Sequence, residues 1–318
     1  MYKSLIIANT PLHCLIIKSI LKESKPKTGV FLVYLTKNIN KKDLNYFNKI
    51  NLFFENSILI DLNSSAGLIQ LFKLLLTLRK KKFKSIYIGQ LKTAFNRVLL
   101  LSTINYTKKY GEIYSYDDGI GNLNVGGYFD VIKEHWISSF IFKVFNKNLL
   151  YKNLKTFISC HFTIFPPDFN IFPNSTFVSL LDLSNSLNKP SNNNTINILL
   201  TTPYYDIGRL SKQISVGLFN NVIEKYKIDY LLPHPKDTLM NNYKINQSKI
   251  IDTNMIAEEW ILKLLKYNTS NVKLFAFGSS TLLTMMNIPG VEVIYLTNPY
   301  AKINTIFKKM NIRSEAIV

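Results

Sequence analysis

The chain has 318 residues, 47% of them hydrophobic, and a formal net charge of +19. That apolar content suffices for one large core or two moderate ones, and the length favours two domains. Two lone cysteines, Cys14 and Cys160, exclude a thiolate metal site and a disulfide-stapled secreted scaffold, and they point to a reducing compartment.

The opening MYKSLIIANTPLHCLII is apolar, but Asn9, Pro11 and His13 interrupt it before any cleavage-like site. It reads as a buried strand and the start of a helix rather than an export signal. Strands rich in β-branched and aromatic residues are predicted at 5–8, 30–35, 57–60, 85–88 and 113–116, alternating with helical spacing at 12–21, 68–78 and 95–104. Strands apolar on both faces that alternate with helices imply a parallel sheet covered on two sides. The apolar run at 67–78 contains Gln70 and Lys73 and falls short of the roughly 20 residues of a membrane span, so no transmembrane segment is predicted.

Next comes Arg79-Lys80-Lys81-Lys82-Phe83-Lys84, the densest point of a charge concentrated in the first half. Residues 1–160 carry 24 Lys and Arg against 9 Asp and Glu, and residues 161–318 carry 15 against 11. Such a field favours a polyanionic partner. The run is either a solvated helix end, its cations matched to the carboxyl-terminal dipole, or a contact with an anionic membrane, where each cation adds roughly 1 kcal/mol. The aromatic segment 136–145 has helical spacing and reads as core or dimer contact ahead of the alternative, a membrane face.

Residues 184–197, SNSLNKPSNNNTIN, form a polar stretch without periodicity and are predicted as a linker between a domain at 1–183 and a domain at 198–318. Beyond it strands are predicted at 198–200, 228–232, 249–251, 272–277 and 291–296, with helices at 210–226, 256–265 and 281–286. Both halves read as Rossmann-like α/β domains facing a central cleft lined by the carboxyl ends of their strands, where ligands of open α/β sheets bind.

Four clusters stand at predicted strand ends. In Tyr116-Asp117-Asp118-Gly119-Ile120-Gly121-Asn122, two acids and two glycines make a turn that aims a carboxylate at a hydroxyl or a sugar, or one in which an Asp bonds its own backbone. Asp206, after Thr201-Thr202-Pro203-Tyr204-Tyr205, is either a helix cap or a general base. In Leu232-Pro233-His234-Pro235-Lys236-Asp237, two prolines pin the imidazole as a candidate acid or phosphate contact, with no companion side chain at metal-ligand spacing. In Phe277-Gly278-Ser279-Ser280-Thr281-Leu282, a strand enters a helix through a glycine and hydroxyls, as a phosphate site or as a plain helix cap.

The succession of a DDG in the first half, then HP, then SS in the second, resembles the lipooligosaccharide α-2,3-sialyltransferases of bacteria and their capsular relatives. The likeness also runs through Ile6-Ile7-Ala8-Asn9-Thr10-Pro11-Leu12 and Ile196-Asn197-Ile198-Leu199-Leu200. It implies a GT-B glycosyltransferase that moves sialic acid from CMP-sialic acid to a terminal galactose of a lipooligosaccharide or capsule, with inversion and without a metal or other cofactor. It implies Asp206 as base and His234 as acid at the departing phosphate. Pro233, Pro235 and Lys236 would surround the nucleotide, Ala257 and Glu258 would contact its cytidine, and Gly278, Ser279 and Ser280 would hold its phosphate. Related families place the base on the DDG aspartate, which keeps Asp118 and Asp117 as the alternative base or acceptor contact. The implied setting is a cytoplasmic homodimer, peripheral on the inner face of the membrane, acting on a lipid-linked acceptor. Two other readings are a UDP-hexose donor on the same fold and a basic nucleic-acid-binding protein. The second lacks a recognisable nucleic-acid-reading motif, so no nucleic-acid partner is expected.

Overall fold

A computed structural model describes residues 4–24, 29–37, 39–123, 136–146, 149–180, 194–267, 270–300 and 305–317. It divides into two compact units, Met1–Leu180 and Leu181–Val318. Of the predicted linker, residues 184–193 lie outside the described residues, and from Thr195 the chain is already in a strand.

In the first unit seven parallel strands are described: β1 (Ser4–Ala8), β2 (Val30–Thr36), β3 (Asn56–Asp61), β4 (Ser85–Ile88), β5 (Glu112–Tyr116), β6 (Cys160–Thr163) and β7 (Ser175–Phe177). They line up in the order β3-β2-β1-β4-β5-β6-β7. Every residue of β1 is buried, as its unbroken apolar run requires of a central strand covered on both faces. The helices are α1 (Pro11–Ser24), α2 (Lys41–Asn51), α3 (Ser65–Leu78), α4 (Ala94–Tyr110), α5 (Trp136–Phe145) and α6 (Tyr151–Phe157). The winding reverses between β1 and β4, so right-handed crossovers place α1 and α2 on one face of the sheet and α3 and α4 on the other. Accordingly α1 packs on α2, and α3 on α4. Asn40 and Asp43 start α2 with a reciprocal capping box, and Ser64 caps α3. The buried Arg97 on α4 lies over the Phe142 ring of α5 at 4.5 Å and donates to the Leu149 carbonyl at 3.0 Å. The predicted core role of 136–145 is therefore met by Phe142, whereas Trp136, Phe140, Val144 and Phe145 on the same helix are exposed.

The second unit holds β8 (Thr195–Leu200), β9 (Tyr230–Leu232), β10 (Asn271–Ala276), β11 (Val291–Thr297) and β12 (Ser314–Ala316), all parallel, in the order β12-β11-β10-β8-β9. Its helices are α7 (Lys212–Tyr226), α8 (Ala257–Tyr267), α9 (Ser280–Met285) and α10 (Thr305–Lys309). Phe219 on α7 packs against Phe277 and Tyr243 with ring centroids 5.5 and 5.2 Å apart. The strand expected at 249–251 does not form. Asn246 accepts from the Ser248 N–H and caps a 3-10 turn at Gln247–Lys249, which leaves one bridge, Leu231 to Ile250, beside β9.

Two glycines of helices separate packing from backbone entropy. A Cβ on Gly67 in α3 would lie 1.9 Å from the Asp61 carbonyl oxygen, whereas one on Gly217 in α7 meets nothing within 4 Å. Thermal unfolding should show Gly67→Ala destabilised by about 1–3 kcal/mol and Gly217→Ala stabilised by about 0.5–1 kcal/mol.

Candidate functional site

Both candidate clusters stand at the carboxyl edges of parallel sheets. In the first unit β1, β4 and β5 deliver Asn9 and His13, Gln90 and Lys92, and Asp117 and Asp118 to one edge, next to the point where the winding reverses. Side chains alternate along a strand, so the two adjacent aspartates leave β5 in different surroundings.

Asp117 is fully buried. Its Oδ1 lies 2.9 Å from His161 Nε2 and 3.4 Å from the Asn170 amide nitrogen, and its Oδ2 accepts from Thr163 Oγ1 at 2.8 Å and the Ile164 N–H at 2.7 Å. The carboxylate makes Nε2 the donor of His161, so its Nδ1 accepts from Ser115 Oγ at 2.7 Å. This network binds the end of β5 to β6 and the chain that follows.

Asp118 instead faces α1 and the β4–α4 connection. The Gln90 amide donates to its Oδ1 at 3.0 Å, Lys92 Nζ stands 3.8 Å from Oδ2, and His13 Nε2 stands 3.3 Å from Oδ1. The His13 contact lies off the ideal axis of a hydrogen bond, yet at 3.3 Å its Nε2 still bears on the carboxylate and favours the charged form. Burial pushes the Asp118 carboxyl up, and His13, Gln90 and Lys92 together pull it down further, so it sits below its ordinary value. Gly119 turns the chain away through φ +59°, in the left-handed region that glycine tolerates.

His13 is itself held tightly. The Asn9 N–H donates to its Nδ1 at 3.1 Å, which fixes the proton of the neutral ring on Nε2. Its ring meets Tyr116 edge-on at 5.1 Å, and a Cβ on Gly89 would lie 2.5 Å from its Cε1. Asn9 and Asn96 exchange amide hydrogen bonds at 2.7 and 3.2 Å, tying the end of β1 to α4. Sequence reading noted His13 only as a break in an apolar run and passed over Gln90 and Lys92. The available signal was that all three follow predicted strands.

In the second unit Tyr204 is buried and its hydroxyl donates to the Phe277 carbonyl at 3.3 Å, while burial pushes its pKa up to about 12. Tyr205 and Asp206 are exposed beyond it. Asp206 is not the cap of α7, a role filled by Ser211. It accepts instead from Thr238, at 2.6 Å from the hydroxyl and 3.3 Å from the N–H, which braces it against the segment after His234. The His234 N–H donates to Thr201 Oγ1 at 2.9 Å, and the Lys236 N–H donates to His234 Nδ1 at 3.1 Å. In the neutral ring the proton therefore sits on Nε2. Pro233 is half-buried, and Pro235 and Lys236 are exposed beside it.

Gly278 has φ +117°, and a Cβ there would meet nothing within 4 Å. Ser279 caps α9, accepting from the Thr281 N–H at 3.2 Å, so the helix-cap role is realised and the short α9 begins at Ser280. Ala257 opens α8, and the buried Glu258 next to it accepts from Thr284 of α9 at 3.2 Å, which joins the two helices. Asp206, His234 and Lys236 thus stand on two segments held together by Thr238, and Ala257, Glu258, Ser279 and Ser280 on two joined helices. Among the described residues no group of three or more His, Cys, Asp or Glu side chains stands close enough to hold a metal ion.

A family model described as Glycosyltransferase family 52 matches residues 27–299, which include every candidate side chain above except Asn9 and His13. The chain belongs to glycosyltransferase family 52. This family 52 enzyme is 25% identical over 302 residues to a Pasteurella multocida (strain Pm70) protein named CMP-N-acetylneuraminate:beta-galactoside alpha-2,3-sialyltransferase, covering 92% of this chain and 91% of that one. Among solved structures it is similar to S. aureus MnaA with UDP (TM-score 0.55, 10% identity, 93% of this chain and 80% of that one). It is also similar to a UDP-GlcNAc 2-epimerase from Neisseria meningitidis (TM-score 0.52, 11% identity, 92% and 82%). At such identity these likenesses speak for the fold alone. With its two parallel sheets, the family 52 chain has the two-domain α/β GT-B fold.

The two aspartates of the DDG turn should separate on substitution. Asp117→Ala leaves the buried donors of His161, Thr163 and Ile164 unmet and should cost about 3–5 kcal/mol in denaturant unfolding. Asp118→Asn should fold. Because the folded-state pKa of Asp118 is depressed, its contribution to stability is present above the ordinary carboxylate value and is lost as pH falls through the depressed one. The stability gap between wild type and Asp118→Asn should therefore be widest at neutral pH and close in acid.

Proposed function

We propose that this glycosyltransferase is an inverting sialyltransferase that uses CMP-sialic acid and a terminal galactose, without a metal ion. The observation that carries this reading is the fixed tautomer of His234: with Nδ1 occupied by the Lys236 N–H, the neutral ring presents its proton on Nε2. The activity in the name of the Pasteurella relative supplies the donor and acceptor classes. In CMP-sialic acid the bond that breaks joins the anomeric carbon to a phosphate oxygen, so the group that leaves is CMP. Its growing charge calls for hydrogen-bond donors and a cation, which His234, Lys236, Ser279 and Ser280 provide, and Ala257 and Glu258 take the cytidine. Asp206, oriented by Thr238 with lone pairs to spare, accepts the proton of the galactose hydroxyl as that oxygen attacks from the opposite face. Asp118 is the acceptor contact and the rival base.

Lipid-linked acceptor is met, on this reading, at the anionic inner face of the cell membrane. Support comes from the outer side of α3, where Leu68, Ile69, Phe72 and Leu76 are exposed ahead of Arg79, Lys80 and Lys84, and from exposed Trp136 and Phe140 on α5. Residues 65–84 hold six cations and no acid, which complements an anionic leaflet. Among the described residues no helix is long and apolar enough to cross a membrane.

Incubation with CMP-sialic acid and a terminal-galactose acceptor, followed by mass spectrometry, should give a sialylated product. Asp206→Asn and His234→Ala should each lose about 100- to 10,000-fold in turnover, and CMP but not UDP should raise the melting temperature. Near-full turnover by Asp206→Asn, with loss in Asp118→Asn, would move the base to Asp118. Protection by UDP alone would replace the donor with a UDP-hexose. Sedimentation with phosphatidylglycerol vesicles should exceed that with phosphatidylcholine vesicles, and a Phe72→Glu, Lys80→Glu double variant should lose it. Unchanged sedimentation, or a dimer broken by the same substitutions, would assign this face to something other than lipid.

A further inference from the structure

The carboxylate of Asp118 is 16% exposed and Lys92 is 29% exposed, whereas the His13 side chain behind them is completely buried. A ligand arriving at the carboxyl edge of β1, β4 and β5 therefore meets Asp118 and Lys92 and never touches the imidazole. Yet every contact around His13 acts to hold its ring in one place and its proton on Nε2. The Asn9 N–H occupies Nδ1, Thr10 Oγ1 accepts the ring's own backbone N–H at 3.3 Å, Gly89 leaves room for the ring where a Cβ would clash, and Tyr116 closes its edge. Tyr116 is fixed in turn by its hydroxyl donating to the Ile7 carbonyl at 2.6 Å. At 3.3 Å from Asp118 Oδ1, a ring held this firmly bears directly on how that mostly covered carboxylate is oriented.

We propose that His13 is the positioning residue of an acceptor-side hydroxyl site, holding Asp118 charged and oriented, with Gln90 and Lys92, to grip a hydroxyl of the acceptor sugar. This rests on the reading of Asp118 as an acceptor contact. The acceptor hydroxyl donates its proton to Asp118 in a hydrogen bond, while Lys92 donates to a neighbouring sugar oxygen; no covalent bond changes here. The groups that face Asp118 are His13 from α1, Gln90 and Lys92 from the β4–α4 connection, and the phenol of Tyr116 on its own strand, with Cys14 of α1 beside that phenol. Burial raises both the Tyr116 phenol and the Cys14 thiol, so they stay neutral at neutral pH and below. His13, Gln90 and Lys92 are left to set the charge on Asp118.

The test compares wild type with His13→Ala and His13→Gln, the second placing an amide N–H near the position of Nε2. Transfer to a terminal-galactose acceptor, hydrolysis of CMP-sialic acid by water, and the titration of the Asp118 carboxyl by carbon NMR are measured on each folded protein. Transfer by His13→Ala should fall up to about 100-fold, the loss expected when a positioned group is displaced, with the acceptor KM raised. Donor KM and hydrolysis should stay within about twofold, because water needs no sugar site. The acid limb of transfer and the Asp118 titration should both move to higher pH, and His13→Gln should restore most of each. Equal losses in transfer and hydrolysis, or an Asp118 titration unmoved in both variants, would overturn the proposal. A wild type that neither transfers nor hydrolyses CMP-sialic acid would instead refute the sialyltransferase reading. The titration still judges His13 in that case.

Discussion

The first unit depends on one buried carboxylate. Asp117 has no contact with water, and its charge is matched by an imidazole N–H, a hydroxyl, a backbone N–H and an amide drawn from β6 and the chain after it. A buried anion is tolerated only with such a full set of donors, and removing either side leaves the other uncompensated. The consequence reaches one residue further. With Asp117 locked inward and Gly119 bending the chain through a positive φ, Asp118 has a single direction in which to emerge, toward His13, Gln90 and Lys92. A buried structural acid thus sets the direction of its neighbour.

The second unit achieves positioning with exposed groups and a rigid base. Tyr204, locked between Phe277 and Asn298, anchors the loop that carries Asp206, and Thr201 and Thr238 tie that loop to the segment around His234. Both imidazoles singled out as functional receive a backbone N–H on Nδ1, from Asn9 in one case and Lys236 in the other. The same local device therefore fixes the tautomer of the neutral ring at two places, once in a buried ring beside Asp118 and once in an exposed ring after β9.

Much of the fold was legible because parallel strands covered on both faces must be continuous apolar runs, as 5–8 and 30–35 are. What escaped had no such run. In β6 the buried positions are His161 and Thr163, which reach the interior only because Asp117 pairs with them. Strands β7 and β12 have three residues each and add at sheet edges, and α2 is too polar to show an apolar stripe despite its capping box. At 249–251 two isoleucines suggested a strand, but the Asn246 turn took precedence. The site was legible as motifs and not as roles. Adjacent letters in Asp117-Asp118 cannot show which one turns inward, and the Ser279 hydroxyl reads equally as phosphate donor and as the helix cap it forms. The approach of His13 to Asp118 is set by strand order, which no local pattern encodes.

On the proposed function, the segment carrying His234 and the helices carrying Glu258 and Ser280 serve one cytidine monophosphate. A crystal structure of the enzyme with CMP tests it most directly. The phosphate should lie within hydrogen-bond reach of His234 Nε2 and the Ser279–Ser280 hydroxyls, with the cytidine beside Ala257 and Glu258. A nucleotide seated on other residues, its phosphate out of reach of His234, would contradict it.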